Sequence, residues 1–450
     1  MYRYILEDNR RIPPFNQPAS ELTVGIAPLK IHHENLFAEL FDKCDLGGTF
    51  QHPDAMRQMA AGEAVVYRDS LWFDREFLEY FIHRARASKQ ACRAALPADD
   101  RAVTTYALPL TRSFVPASDP QGRPIYLTDL WYFPNGYSDR ALPVIVPSDS
   151  KEKGFYSVPD FMAQDRGDLT HHLTARALLS IESWVHIYYA SVIFGVFSRG
   201  HRFEEYVKSH NFYALKLLWR GILEQKQVLT TSEVVRVGKD TVIDPSAIIS
   251  GPTTIGDNCF IGPGVVIDNC AIGNDVSISQ GCQLMLSTVA NNCFLPFRAS
   301  LFMTAMMENS IVAQNTCLQM CVIGRNSFVG AGNTFTDFRL LGEPDPRGGV
   351  MPRPIRAASI HGETEEVGQV VLGGAVGHNC RIGSGLIIFP GRMIESDVVL
   401  FASPSRRVVA RNVTYEESDH HALGQEGGVH HRQFPRQDEA RLEEETWTSW

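Results

Sequence analysis

The sequence has no CxxC pair among its nine cysteines, no block of basic residues, and no apolar run long enough to span a bilayer. An odd, scattered set of cysteines argues for reduced thiols and against a disulfide framework or a zinc ribbon. With 51 acidic against 42 basic residues and a formal charge of -9, nothing in the charge balance points to a nucleic-acid groove, so small molecules are the expected partners. The most apolar stretch, SWVHIYYASVIFGVF, is too short to be a membrane span and contains a histidine. The opening MYRYILEDNRRIPPF lacks the apolar core of a signal peptide, and the expectation is a cytoplasmic protein without a membrane span. At 450 residues with 44% hydrophobic and 21% charged content, the chain is neither disordered nor fibrous and can bury more than one core.

What is present is a period. Aliphatic residues fall at every sixth position at Val237, Ile243, Ile249, Ile255, Ile261 and Ile267. The spacing resumes in shifted registers at Ile272, Ile278 and Leu284, then at Val289, Leu295, Leu301 and Met307. A further register runs through Ile311, Cys317, Ile323, Val329, Phe335 and Leu341, and a last one through Val370, Val376, Ile382, Ile388, Ile394 and Leu400. Period six fits neither a 3.6-residue helix nor an alternating strand. It indicates a parallel β-helix in which each hexad is one flat side, three sides close a coil, and the aliphatic residue points inward. The glycine that follows many of these residues, as in Ile255-Gly256 and Ile323-Gly324, is read as the corner, where unusual dihedrals favour it. About eight coils at ~4.8 Å give a prism near 40 Å long.

Before the prism the pattern is mixed α/β. YRYILED, EAVVYRDSLWF, TTYALPLTR and RPIYLTDLWYFP read as strands, and DREFLEYFIHRARASKQ as an amphipathic helix. The proline-free text from 168 to 233 reads as a helical linker, with Trp184, Tyr188, Tyr189 and Phe194 packing against the prism or another subunit. The expected domains are therefore 1–167, 168–233, a β-helix over 234–413 interrupted by an excursion at 342–366, and a tail at 414–450 whose few apolar positions predict disorder. The tail's two His-His pairs can bind metal opportunistically but without fixed geometry. Cysteines 259, 270, 282 and 293 recur at spacings that do not match a coil of three hexads, and are read as small buried hydrophobes.

The segments GPTTIGDNCFIGPGVVIDNCAIGNDVSI and VLGGAVGHNCRIGSGLIIFPGRMIESDVVL resemble the bacterial hexapeptide-repeat transferases over residues 234 to 413. The resemblance implies a left-handed β-helix, acyl transfer from an acyl-CoA such as acetyl-CoA, and a homotrimer with active sites between neighbouring prisms. The opening ILEDNRRIPPFNQPASELTVGIAPLKIHHENLF looks like a divergent sugar nucleotidyltransferase domain, and the joined plan is similar to the bifunctional UDP-N-acetylglucosamine pyrophosphorylase and acetyltransferase type. That half lacks the glycine-rich phosphate loop of such enzymes. If it is active, Lys30 is the group for a sugar phosphate and Asp8 or Asp69 the holder of Mg²⁺; otherwise these are solvated surface residues.

The excursion carries Arg347, Arg353, Arg356 and His361. Guanidinium forks suit the phosphates of coenzyme A or of a nucleotide sugar, and an exposed polar loop is the plain alternative. By resemblance to the maltose, galactoside and xenobiotic acetyltransferases, His361 is the candidate general base. His378, expected to face outward after a corner glycine, is the second candidate, with Asn379 beside it as a binding residue. Where those enzymes carry a tryptophan before Ile-Gly, this chain has Cys380-Arg381-Ile382-Gly383. Gln314, Asn315, Gln319, Asn326, Asn333 and Asp337 either line a polar groove or serve as corner residues. A carbonic anhydrase of this fold needs three histidines from neighbouring coils, and residues 234 to 341 contain none. The competing readings are a sugar-phosphate or nucleotide-sugar acyltransferase, a sugar nucleotidyltransferase, and a non-catalytic β-helix scaffold.

Overall fold

A computed structural model describes residues 1–155, 170–344, 350–351, 353–423 and 430–439. The chain divides into two compact units. One takes Met1–Asn9, Pro18–Asn211 and Leu341–Val370; the other takes Arg10–Gln17, Phe212–Leu340 and Val371–Trp450. No helix among the described residues is long and apolar enough to cross a membrane.

The first unit is built on a mixed sheet. Its main strands are β1 (Tyr2–Leu6), β2 (Asp45–Phe50), β3 (Ala64–Arg68), β4 (Cys92–Pro97), β5 (Pro124–Phe133) and β6 (Leu142–Ile145), in the spatial order β6-β4-β5-β3-β1-β2. β1 runs parallel to both β2 and β3, whereas β5 is antiparallel to β3 and β4. The expected amphipathic helix forms over Arg75–Ser88. Asp74 caps its N-terminus by accepting from the Phe77 N–H, and Phe77, Leu78, Phe81, Ile82 and Ala85 form its buried face.

Two local expectations fail here. TTYALPLTR is not a strand: Val103–Ala107 is a wide helical turn, begun where the Asp100 carboxylate accepts from the Ala102 N–H at 2.9 Å. The helical linker likewise opens with strands, because Thr170–Leu173 pairs with Lys151–Gly154 and Leu178–Ser180 pairs with Leu71–Phe73. Helix begins only at Trp184. The aromatic residues of this segment pack inside their own unit, with Tyr189 edge-on to Tyr106 at 4.9 Å and Phe194 stacked on Trp72 at 6.2 Å. The unit boundary falls after Asn211, so the 168–233 segment is divided between the two units.

The second unit is a left-handed parallel β-helix of three eight-stranded, all-parallel sheets. Inward columns run coil over coil, for example Ile255, Ile272, Val289, Met306 and Ile323 on one side and Ile267, Leu284, Leu301 and Leu318 on another. The coils differ from the hexad count in one respect: stacked positions in the middle coils are 17 residues apart. One short side per coil explains the register slips. It also places Val312 and Leu318 inward in place of Ile311 and Cys317; Leu341 is exposed and belongs to the first unit.

The same period corrects the cysteine reading. Cys270, Ser287, Thr304 and Cys321 stack in one corner column, each backbone N–H donating to the side chain 17 residues earlier. Cysteine thus substitutes for Ser and Thr in a ladder, although all these thiols are buried and burial pushes Cys293 up to about 12. The corner glycines need correction too. Left-handed backbone falls on glycines other than those that follow the aliphatic residues, such as Gly264, Gly281 and Gly332, and on Asn258, Asp275, Asn292, Asn309, Asn326 and Asn379, which tolerate it better than other side chains. Gly256 and Gly324 are required by close stacking, since a Cβ at Gly324 would lie 2.5 Å from the Gly377 carbonyl oxygen.

Of the tail expected at 414–450, residues 424–429 and 440–450 lie outside the described residues, and the rest differs from expectation. Tyr415–Glu417 and His420–Leu423 are helical turns, and residues 430–439 pack into their unit through ion pairs that apolar counting does not register. Among the described residues, no group of three or more His, Cys, Asp or Glu can hold a metal ion.

The observed register makes a direct prediction. Leu318→Ala is expected to cost about 2–5 kcal/mol in urea unfolding and Cys317→Ala within about 1 kcal/mol, the reverse of the plain hexad count.

Candidate functional site

The described residues of the excursion belong to the first unit. Arg356–Ala358 and Thr364–Glu366 form an antiparallel hairpin, with Ile355, Ala357, Ala358 and Val367 among its buried side chains. The hairpin is fixed within that unit by Ser183 Oγ donating to the Ala358 carbonyl at 2.7 Å and by the Ile360 N–H donating to the Glu182 carbonyl at 2.9 Å. His361 lies at the hairpin's tip, in the turn between its strands.

Glu182 makes this place distinctive. Its carboxylate is fully buried. Oε1 accepts from Ser180 Oγ at 2.8 Å, from the Ser113 hydroxyl, and from the Ser113 N–H at 3.2 Å; Oε2 accepts from the Arg112 N–H at 3.0 Å. Burial works against ionisation, but the hydrogen bonds from Ser113, Arg112 and Ser180 and the neighbouring His186 hold the Glu182 pKa below the ordinary carboxylate value. His361 Nε2 donates to Oε2 at 2.8 Å, and the His361 side chain is 13% exposed. With Nε2 committed to the carboxylate, Nδ1 is the ring nitrogen left to act, and it makes no hydrogen bond among the described residues. His186 is spent structurally. It accepts from the Glu182 N–H through Nδ1 and donates through Nε2 to the Pro109 carbonyl at 2.9 Å, and burial lowers its pKa.

Glu182 was missed in the sequence, although a lone acid in the apolar run LLSIESWVHIYYA is a signal, because buried carboxylates require partners. Of the arginines expected with His361, Arg353 pairs with Glu343 at 2.8 Å and Arg356 donates to the Thr364 carbonyl at 2.6 Å. Arg347 lies outside the described residues. Lys30 pairs with Glu21 at 2.9 Å on an exposed surface of the same unit.

The second candidate is in the β-helix unit, and it does not face outward. His378 is fully buried between the rings of Phe15 and Phe434, at 5.0 and 4.8 Å. Its Nδ1 accepts from the Arg325 N–H at 2.9 Å, which leaves the proton on Nε2, an atom without a partner among the described residues. Burial, and then the Arg325 charge, lower its pKa well below the usual imidazole value. Asn379 is a left-handed corner residue whose Nδ2 donates to Asp397 Oδ1 at 2.8 Å. Of the polar-groove candidates, Asn315 and Asn326 are left-handed corners, and Asn333 is buried and bonds the Gly330 and Gly383 carbonyls.

A family model described as bacterial transferase hexapeptide (six repeats) matches residues 235–269. That match falls on the first coils of the prism. No curated protein matches the chain. Among solved structures, a Bacillus cereus protein titled a "putative acetyltransferase" is similar at 20% identity, covering 22% of this chain and 69% of its own, with a TM-score of 0.15. At that score nothing about reaction or substrate follows.

The buried carboxylate predicts its own test. Glu182→Ala leaves several buried donors without an acceptor and is expected to cost about 3–5 kcal/mol in chemical unfolding, with Glu182→Gln milder. Because its folded pKa is depressed, the stability Glu182 contributes is full above the ordinary value of about 4.3 and is lost as pH falls through the lower folded value. The acid limb of the stability profile should therefore be shallower in Glu182→Gln than in the wild type.

Proposed function

We propose that the chain is an acyltransferase that moves an acyl group from an acyl-CoA, such as acetyl-CoA, to a hydroxyl or amine of a sugar phosphate or nucleotide sugar. The observation that carries this reading is the oriented imidazole of His361, held through Nε2 by the buried Glu182 carboxylate at 2.8 Å. Nδ1 takes the proton from the acceptor as its oxygen or nitrogen attacks the thioester carbonyl. The tetrahedral intermediate then collapses, the C–S bond breaks, and the proton passes to the departing thiolate. Glu182 is a positioning residue in this scheme, because it holds the ring and its tautomer and meets neither reactant. Neither Ser113 nor Ser180 serves as a nucleophile, since both hydroxyls donate to the carboxylate instead of to an imidazole. The hexapeptide match at 235–269 supports the transferase class. Arg347, Arg353 and Arg356 are the proposed phosphate contacts, and a homotrimer is the proposed assembly. His378 and Asn379 remain the second proposed pair, for a step that first uncovers them.

A second reading is nucleotidyl transfer in the first unit. It is favoured by Asp8 and Asp69, which follow β1 and β3, adjacent parallel strands at whose carboxyl ends open α/β sheets bind ligands. The Asp69 carboxylate accepts from the Asp8 N–H at 2.8 Å, and burial raises its pKa to about 6. Asp8 or Asp69 would hold a magnesium ion there, with Lys30 meeting the sugar phosphate.

Release of free coenzyme A thiol from acetyl-CoA, followed across sugar phosphates and nucleotide sugars, tests the first reading. His361→Ala is expected to lower kcat by about 10²–10⁴-fold with the fold intact, and Glu182→Gln to lower kcat while leaving the KM for the thioester within about twofold. Thermal stabilisation by UTP or dTTP with magnesium, and none by acetyl-CoA, would transfer the assignment to the second reading.

A further inference from the structure

The segment 430–439, rich in charge and poor in aliphatic residues, makes contacts within its unit that resemble a bound peptide more than a packed chain end. Arg432 is buried. Its guanidinium lies 4.2 Å from the centre of the Tyr415 ring, Nη2 donates to Glu395 Oε1 at 2.8 Å, and Nη1 donates to the Ser396 carbonyl at 3.0 Å. Two residues on, the Phe434 ring covers His378, its N–H donates to Asp397 Oδ2 at 2.7 Å, and its carbonyl accepts from Asn16 Nδ2 at 2.9 Å. Arg436 then returns to Glu395, with Nε donating to Oε1 at 2.8 Å. Alternate side chains thus enter the site while the Phe434 backbone is read by hydrogen bonds, as in peptide recognition, and the segment then turns so that Glu439 also accepts from Arg432 Nε at 3.1 Å.

The receiving side is built for a basic and aromatic ligand. Glu395 is buried, and Asn16 Nδ2 and the Tyr415 N–H hydrogen-bond it alongside the two arginines. Asp397 is fixed by Asn379. The His378 Nε2, a buried donor with no partner among the described residues, lies on the ring that Phe434 covers. An unsatisfied buried donor costs about 1–3 kcal/mol, which is a poor feature in a permanent core and an ordinary one in a site that opens.

We infer that residues 430–439 are a releasable strap: a peptide ligand held in cis by a guanidinium and aromatic site made of Glu395, Asp397, Tyr415, Asn16 and His378. The site accepts an Arg-x-Phe-x-Arg segment, and release of this chain's own copy uncovers His378. This rests on the β-helix unit alone and is independent of the role proposed for His361.

The test uses the full-length protein and a labelled peptide of residues 430–439. In wild type the tethered copy competes at its high effective concentration and the added peptide binds weakly. In full-length Arg432→Ala/Phe434→Ala the peptide should bind at least tenfold more tightly, and adding Glu395→Gln should remove that gain. In wild type, hydrogen exchange at the Phe434 amide should be at least a hundredfold faster than at the Arg381 and Ile387 amides of the coils. Equal binding to wild type and double variant, loss of folding in the double variant, or exchange as slow as that of the coils would each make the segment a permanent cap and overturn the proposal.

Discussion

A coil made of two- and three-residue strands closes only if the chain reverses sharply at every corner, and the β-helix unit is organised around that demand. The reversal uses left-handed backbone, which Asn and Asp supply at positions such as Asn292, Asn309 and Asn379. It also brings successive corners so close that no Cβ fits at Gly256 or Gly324. Once the corners are set, each inward aliphatic residue is stacked on its counterpart one coil away, and the sheets follow from backbone pairing in register. The corner column of Cys270, Ser287, Thr304 and Cys321 serves the same closure, each side chain taking up a backbone N–H that the tight turn would otherwise leave unpaired.

This is why the prism was legible in the sequence and its exact register was not. Period six is a property of the strand and turn together, and it survives wherever a side has six residues. A coil of 17 shortens one side, and the aliphatic count then slides onto Ile311 and Cys317 while Val312 and Leu318 take the inward places. Composition alone could not separate a cysteine that packs from one that accepts a backbone hydrogen bond. Segment 430–439 departs from its composition for a related reason. Scarce apolar residues predict disorder there, but the segment is held by carboxylate and guanidinium groups, whose pairing depends on partners far away in sequence such as Glu395.

The candidate site shows the same division. His361 stood out because it lies in an excursion that breaks the repeat. Glu182 did not, since apart from Ser180 its partners lie far away, Arg112 being 70 residues before it and His361 179 after it. Neither distance leaves a periodic trace. The contrast with His378 is instructive, because both histidines follow the same sequence cues, a neighbouring glycine and a polar setting. Only packing decides that one keeps an open nitrogen and the other is enclosed by Phe15 and Phe434.

Glu182 and Glu395 are both buried acids held ionised by a surplus of donors, yet the donors differ in a way that separates their chemistry. Glu395 is met by two arginines, whose guanidinium groups remain protonated at any pH a protein survives. No proton can be exchanged there, so the pairing can only hold or release a segment. Glu182 is met by hydroxyls, backbone N–H groups and one imidazole. The hydroxyls and amides satisfy the charge without giving up a proton, and the imidazole is the one side chain among these partners with a second ring nitrogen. A buried carboxylate surrounded by fixed donors holds that one ring in place, and in the proposed acyl transfer the open Nδ1 of His361 is the atom that would meet a reactant.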